Sequence, residues 1–472
     1  MLAGPKFLGL RSAVVRKTVV GVISRNCVAN AARWGARPSA RSIYKTLIGV
    51  ARVKMMQSAL DMFLRRFITV GRLTMRWPDG RTQIYTGRPG PEAGVMLCDR
   101  RTVWRLILNP KLSVGEAYMD GGLVPLGGSI HDVLAVLLAN LRTNPNGPLV
   151  NWLRRAAARI WRPIDQFNVR ARARRNVAHH YDLNGRLYSL FLDRDRQYSC
   201  AYFPKGTETL EEAQEAKKRH IAAKLCLDRP GLSVLDIGCG WGGMALTLAR
   251  DYGATVTGIT LSTEQLAEAQ ARAEAEGLVD RVSFQLLDYR AMDRRFDRVV
   301  SVGMFEHVGV FHYRAFFDTV SRCLKPDGVA LLHSIGQWDG PGINNPWISK
   351  YIFPGAYCPA LSEVMPAIER SGLLTTDIEV LRLHYAETLR HWRRRFAANR
   401  DTIKSLYDER FCRMFEFYLS SCELGFRYGS LAVFQIQLSH QQAAVPLTRD
   451  YITGSECGLV RSNGEYRQAR SG

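Results

Sequence analysis

The chain has 472 residues, room for two domains of ordinary size, and 46% of them are hydrophobic, enough for a sizeable core. No stretch stays apolar for the ~20 residues that a membrane-spanning helix needs, so an integral membrane protein is excluded and a soluble or peripheral one expected. A formal net charge of +22 asks for an anionic partner: nucleic acid, phospholipid or a smaller anion.

Half of that charge sits at the front, where residues 1–60 hold 11 Lys and Arg and no acid. An Arg-rich, acid-free leader over 1–55 fits an organellar transit peptide. The plainer alternative is a start assigned too early, because a globular pattern begins only at Met55 or Met56, in MMQSALDMFLRRF. Ten cysteines are scattered without a CxxC or a Cys/His pair at zinc spacing. They predict reduced thiols in a reducing compartment and no structural metal.

Residues 61–130 alternate strand-like pieces (RLTMRW, TQIYTG) with turns at Pro78–Gly80 and Gly87–Gly90, and a helix is predicted at about 131–141. NPNGP at 144–148 reads as a linker that closes a front domain over 56–150. A helix follows within 151–176. Trp152, Leu153, Ala156, Ile160, Trp161 and Ile164 share one face, with Arg154, Arg155, Arg159 and Arg162 flanking it. Trp and Arg on an amphipathic helix suit a membrane interface, and they equally suit an ordinary helix packed between domains.

From about 230 the pattern alternates strand and helix: LSVLDIG, GGMALTLARDYG, ATVTGITL, STEQLAEAQARAEAEG, VSFQLLD, FDRVVSVGM, YRAFFDTVSRCL, GVALLHSIG. Ser262 or Thr263 caps the second of these helices. Such alternation predicts an α/β fold, a doubly wound and mostly parallel sheet whose ligands bind at the carboxyl ends of the strands. The catalytic domain is placed at 177–450, with a tail at 451–472.

VLDIGCGWGG (234–243) joins the first of these strands to its helix, and its glycines let the backbone turn tightly beside a ligand. A glycine loop alone could serve a dinucleotide. The spacing Asp236-x-Gly238-x-Gly240 instead resembles the first motif of class I S-adenosylmethionine (SAM) methyltransferases, with Gly242 completing the loop. In that family an acid usually ends the second strand and holds the ribose hydroxyls. Here the position reads TGITLSTEQ, so Thr260 and Gln265 serve in its place, and Asp288 and Tyr289 of LLDYR lie near the adenine end.

Longer stretches converge on one family. HHYDLNGRLYSLFLD (179–193), QYSCAYFP (197–204), LEEAQEAK (210–217), SVGMFEHVG (301–309), LLHSIG (331–336), WISKYIFPG (347–355) and YLSSCELGFR (418–427) resemble the cyclopropane-fatty-acid synthases, as does GEAYMDG (115–121) in the front domain. The resemblance spans roughly 60–450. It implies a class I SAM methyltransferase with a smaller N-terminal α+β domain that engages lipid or dimerises. The reaction implied is attack on a cis double bond in a phospholipid acyl chain. An alkene is a weak nucleophile, so the site must position it in a dry pocket. Methyl transfer leaves a carbocation, and loss of a proton closes the ring.

The resemblance further implies a bound bicarbonate ion as the base. Glu306 matches the carboxylate that accepts its hydroxyl, His333 the imidazole and Tyr385 the phenol that donate to it. Cys200 and Ile335 supply backbone contacts, and Cys422 lies near. Tyr198, Ser199 and Leu261 complete the cofactor set, and His307 is a structural neighbour of Glu306. Read without the resemblance, His333 and Tyr385 are ordinary core residues, and Cys200 and Cys422 inert buried thiols. Phe305, Phe316, Phe317 and Tyr351 could line an acyl tunnel or simply be core.

Arg196 departs from the family, which often has an apolar residue there; pointing inward, it would alter substrate access. The expected partners are an anionic bilayer, met peripherally at the cytoplasmic face through Arg65, Arg66 and Arg72 beside Phe63, Phe67 and Ile68, and a second copy of the chain. Alternative products are a methyl or methylene branch, or a methylated small amine. A nucleic-acid-binding protein with a decayed cofactor site is disfavoured, since no nucleic-acid module is recognisable.

Overall fold

The computed structural model describes residues 55–143 and 185–456, with the backbone of two short strands, Leu459–Ser462 and Glu465–Gln468. The basic leader (Met55 apart) and the Trp/Arg helix predicted within 151–176 lie outside the described residues. The chain divides into two units after Met62. Of the first, residues 55–62 are described and are helical.

The second unit opens with helical residues 63–67, where Phe63, 56% exposed, stacks on Phe67 and Arg65 lies over the Tyr85 ring. Ile68 is buried, so it does not share that surface. A four-stranded sheet follows: β1 (Val70–Arg76), β2 (Thr82–Thr86), β3 (Arg88–Leu97) and β4 (Leu123–Leu126), in the order β2-β1-β3-β4. Pro78 and Gly80 make the predicted hairpin turn, with Gly80 N–H donating to the Trp77 carbonyl. The second predicted turn is corrected: from Arg88 the chain is already strand and pairs parallel with β1.

Two helices were not foreseen, α1 (Arg100–Leu108) and α2 (Pro110–Met119). Their start signals are nonetheless present. Asp99 accepts from Thr102 N–H, and Pro110 stands at the first helical position. The helix predicted at 131–141 is α3 (Ile130–Thr143).

GEAYMDG lies on α2 and beyond, and it packs the segment around the four-stranded sheet on the rest of the same unit. Gly115 packs against Trp347, where a Cβ would fall 2.4 Å from the indole nitrogen. Glu116 accepts from Lys350 Nζ (2.8 Å) and Tyr351 OH (2.9 Å), and Tyr118 OH donates to Glu416 (2.6 Å).

The catalytic body is built on seven strands: β5 (Ser233–Ile237), β6 (Thr255–Thr260), β7 (Val282–Leu286), β8 (Phe296–Val302), β9 (Leu324–Gln337), β10 (Leu374–Leu381) and β11 (Leu431–Ser439). Their order is β10-β11-β9-β8-β5-β6-β7. The five strands from β9 to β7 are parallel, and β11 and β10 add antiparallel at one edge. This is the expected mostly parallel, doubly wound α/β sheet.

Helices cover both faces. On one, α4 (Tyr313–Cys323) sets Tyr313, Phe316, Phe317 and Val320 against Leu235, Ile237 and Phe434. Phe305 joins this cluster and stacks on Tyr313, so the Phe305, Phe316 and Phe317 rings are core. On the other face α5 (Leu210–Lys224) and α6 (Gly243–Tyr252) bury Ile221, Leu225, Leu246 and Leu248. Thr209 and Glu212 form a capping box at the start of α5. Residues 451–456, expected to open a tail, lie on a helix (Asp450–Glu456) with Tyr451 and Ile452 buried.

Strand order reverses between β5 and β8, so connections leave their carboxyl ends in opposite directions. A crevice opens there by topology alone.

Candidate active site

The glycine loop follows β5 directly. Gly238 and Cys239 N–H both donate to the Ile259 carbonyl (2.9 and 3.0 Å), which ties the loop to β6. Gly238 has φ +82°, and a Cβ there would fall 2.8 Å from Met304, so both conformation and space require glycine. Ten of the eleven residues expected to hold the cofactor line one cleft: Tyr198, Ser199, Asp236, Gly238 and Gly240 on one side, Thr260, Leu261, Gln265, Asp288 and Tyr289 on the other. Gly242 stands behind it, against Phe284 and Ala269.

Asp236 is 2% exposed, and one of its carboxylate oxygens has no hydrogen-bond partner. Burial pushes it up to about 7, opposed only by the charge of Lys217. A buried, unpaired acceptor in a cleft calls for a donor from a ligand. At the end of β6, Thr260 Oγ1 donates to Gln265 Oε1 (3.0 Å) and accepts from Ser262 N–H (3.2 Å). Ser262 caps the following helix, Thr263–Ala275. A neutral polar pair thus occupies the place of the usual acid. Arg290 donates to both oxygens of Asp288 (2.8 and 2.6 Å), so this carboxylate already carries a cation.

Why the wall opposite stands still is seen in residues that the sequence reading passed over. Lys217 is fully buried and donates to Gln197 and to Ser199 Oγ (2.9 Å). Burial drives it down to about 8. Asp195 takes Lys218 Nζ (2.8 Å) and the Arg272 guanidinium, and Asp193 accepts from Asp195 and Gln197 N–H. Residues 193–199 are therefore pinned to two helices. A signal was available: Leu210, Gln214, Lys217 and Ile221 repeat at helical spacing, so Lys217 falls on the apolar face of α5. A lysine on such a face is costly unless used or paired.

Arg196 lines the same cleft. It has φ +52°, sets its guanidinium 5.5 Å over the Trp241 ring and reaches Glu268 at 3.2 Å. His307, taken from sequence as a mere neighbour of Glu306, is also in the cleft wall, edge-on to Phe353; burial drives it down to about 4, so it is neutral.

A second cluster adjoins the cleft where β8 and β9 end. Glu306 sits on a single turn (Phe305–His307) just after β8. Its Oε1 accepts Ile335 N–H at 2.6 Å, and its backbone carbonyl accepts from Tyr357 N–H. Its Oε2 is buried without a partner, and burial pushes the carboxyl up to about 7. The Ile335 N–H, expected to reach an ion, is thus engaged by Glu306 itself.

His333 precedes Ile335 by two residues on β9, which puts both side chains on one face. Its Nδ1 lies 3.1 Å from Gln435 Nε2. Burial, aided by the charges of Lys217, Lys224 and His220, drives it down to about 3, so the imidazole is neutral. Tyr385 is on α7 (His384–Ala398), packed by Trp392 and Phe426. Burial holds its phenol well above the ordinary range, and the acidic groups of Cys200, Glu306, Cys422 and Cys358 push the same way. The Cys200 thiol is raised by burial, and Cys422 is pushed up to about 12, so neither is a nucleophile. Cys358, in the same neighbourhood, gave no signal in the sequence. Tyr351 hydrogen-bonds Glu116 of α2.

Residues 168–436, more than half of the chain, match the family described as mycolic acid cyclopropane synthetase. The chain belongs to this family. It is 40% identical over 341 residues to the cyclopropane-fatty-acyl-phospholipid synthase of Escherichia coli strain K12, covering 71% of this chain and 85% of that one. It is 35% identical over 398 residues to the tuberculostearic acid methyltransferase UfaA1 of Mycobacterium tuberculosis, covering 79% and 89%. Among solved structures it resembles mycolic acid cyclopropane synthase CmaA1 complexed with SAH and CTAB: 33% identity, TM-score 0.54, 58% of this chain and 99% of that one. This member of the mycolic acid cyclopropane synthetase family is a SAM-dependent methyltransferase.

Proposed function

We propose that the enzyme adds a methylene group, taken from SAM, across the cis double bond of an unsaturated phospholipid acyl chain and closes a cyclopropane ring. The observation that carries this reading is Glu306: a sealed carboxylate with one oxygen held by Ile335 N–H and the other unpaired, beside a neutral His333 and a Tyr385 that stays protonated. The 40% identical synthase supports the same substrate class.

SAM supplies an electrophilic methyl group. Asp236 would bind its ammonium, Thr260 and Gln265 its ribose hydroxyls, and the glycine loop its methionine backbone. The π electrons of the alkene would form the new C–C bond as the S–CH₃ bond breaks and S-adenosylhomocysteine leaves, with a positive charge left on the second carbon. A proton lost from the added carbon then closes the ring, so one CH₂ is gained in all. A proton that acidic needs a weak base within reach.

A bicarbonate ion fits the chemistry of this site, its hydroxyl donating to Glu306 Oε2 and its oxygens accepting from Tyr385 and His333. Bound there, it would supply the base. Glu306 would thus orient it, and the burial of Glu306, His333 and Tyr385 would keep water from the cation.

The substrate ties the enzyme to an anionic bilayer, approached from the cytoplasmic side, and the charge of +22 suits that surface. Among the described residues no helix is long and apolar enough to cross a membrane. The front domain would engage lipid or a second copy of the chain. A methyl-branched product is the second reading, favoured by the likeness to UfaA1.

The test is mass spectrometry and proton NMR of lipid after incubation with SAM and vesicles of cis-monounsaturated phosphatidylglycerol, with and without bicarbonate. A gain of CH₂ with upfield ring protons is expected. A branched methyl would move the enzyme to the second reading. No lipid product would turn attention to small amines.

A further inference from the structure

We propose that Gln435 is a positioning residue, holding the single proton of His333 on Nε2 so that this imidazole presents a donor to an anion at the Glu306 site. The proposal rests on the reading that this site takes an anionic base.

Gln435 and His333 are direct partners in the antiparallel register of β11 and β9. Cross-strand partners project to the same face of a sheet. Both are buried, at 0% and 2% exposure, so no water competes for their polar atoms. Their side chains meet through Gln435 Nε2 and His333 Nδ1 at 3.1 Å.

A neutral imidazole has one N–H and one acceptor nitrogen, and the hydrogen bond made by one nitrogen decides the state of the other. With the amide NH₂ against Nδ1, Nδ1 accepts and the proton stays on Nε2. Turning the amide over would reverse this. The amide oxygen would draw the proton to Nδ1, and Nε2 would offer a lone pair that repels an anion.

The orientation seen leaves Gln435 Oε1 as the buried atom without a partner. A buried carbonyl oxygen is tolerated unpaired more readily than a buried N–H, which the turned amide would leave in its stead. The other neighbour of Gln435 in the sheet is β10. Its partner there is Glu379 on β10, whose carboxylate already takes His220 Nε2 (2.6 Å) and Lys224 Nζ. Those same two cations, with Lys217, disfavour the doubly protonated imidazole.

The experiment uses the full chain with ¹⁵N-labelled histidine, the His333 signals being those lost in His333→Gln. Wild type should show an unprotonated Nδ1 and a proton on Nε2. Gln435→Glu places an acceptor against Nδ1 and should move the proton there. In the same variant and in Gln435→Leu, half-saturation by bicarbonate should rise about tenfold, as for one lost charge-assisted hydrogen bond, with KM for SAM unchanged. Gln435→Asn should restore part of it. A proton on Nδ1 in wild type overturns the proposal without any variant, so misfolding of a variant cannot shield it. An unchanged tautomer and unchanged bicarbonate response in Gln435→Glu overturns it as well. Wild type indifferent to bicarbonate would defeat the anionic-base reading alone, since the NMR result still decides what Gln435 does to His333.

Discussion

Burial moves Glu306 from an ordinary 4.5 to about 7, and the shift has a consequence for stability as well as for chemistry. A carboxyl whose pKa is raised by folding contributes fully below pH ~4.5, and that contribution is lost as pH rises through about 7. Above that, the ionised group costs the fold about 3 kcal/mol at the bench-mark of 1.36 kcal/mol per pKa unit. Glu306→Gln should therefore melt higher than wild type near pH ~8 and alike near pH ~5, in calorimetric scans at both. Asp236 titrates in the same sense but is common to both proteins, so it cancels. The same variant should lose about 10²-fold in activity, because with the amide oxygen on Ile335 N–H an NH₂ donor stands where Oε2 would accept. Neither the pKa nor the orphan oxygen of Glu306 was legible in SVGMFEHVG; sequence shows a carboxylate after an apolar strand, and only packing shows that one oxygen is spent on Ile335.

Elements hold their place through a few polar anchors in otherwise apolar seams. Asn140, on α3, is fully buried and serves β1 from both ends of its amide. Its Oδ1 accepts from Thr69 and Val70 N–H (2.7 and 2.9 Å), and its Nδ2 donates to the Val70 carbonyl (2.7 Å). Asn140→Leu strands these backbone groups at about 1–3 kcal/mol each. Hydrogen exchange over β1 and β3 should quicken in the variant. Affinity for S-adenosylhomocysteine should hold, since no residue of the front sheet lines the cofactor cleft. A lost affinity would mean that the front domain shapes the cleft from a distance. Elements with strong periodicity and sharp turns, β5 to β9 and their helices, are readable from sequence. α1 and α2 are not: α2 has no helical stripe, and α1 has one but is only nine residues long, too short for periodicity to separate it from a strand.

At the scale of the molecule the excess of positive charge is uneven, with half of it in residues 1–60. Attraction to an anionic surface is worth roughly 1 kcal/mol per basic residue close to it and is screened beyond ~10 Å at 0.1 M salt. Binding of the full chain to phosphatidylglycerol vesicles should thus weaken steeply with salt, as read by sedimentation. Binding that ignores salt would point to apolar insertion instead. Many cations of the catalytic body are internally spent: Arg400 on Glu409 and Glu416, Arg427 on Glu387 and Glu423, Arg395 on Glu211. A count of cations alone overstates what that body can offer a membrane.

Local chemistry is written in consecutive residues, so the glycine loop, the alternating strands and the family motifs were readable without a structure. A left-handed Gly238 and a Ser262 cap follow from what those residues are. What joins Glu306 to Ile335, His333 to Gln435 and Lys217 to Ser199 are gaps of 29, 102 and 18 residues closed by the sheet and its helices. Desolvation and hydrogen-bond partnership depend on those closures. Protonation states, the tautomer of His333 and the inward turn of Arg196 were therefore decided only by the tertiary structure.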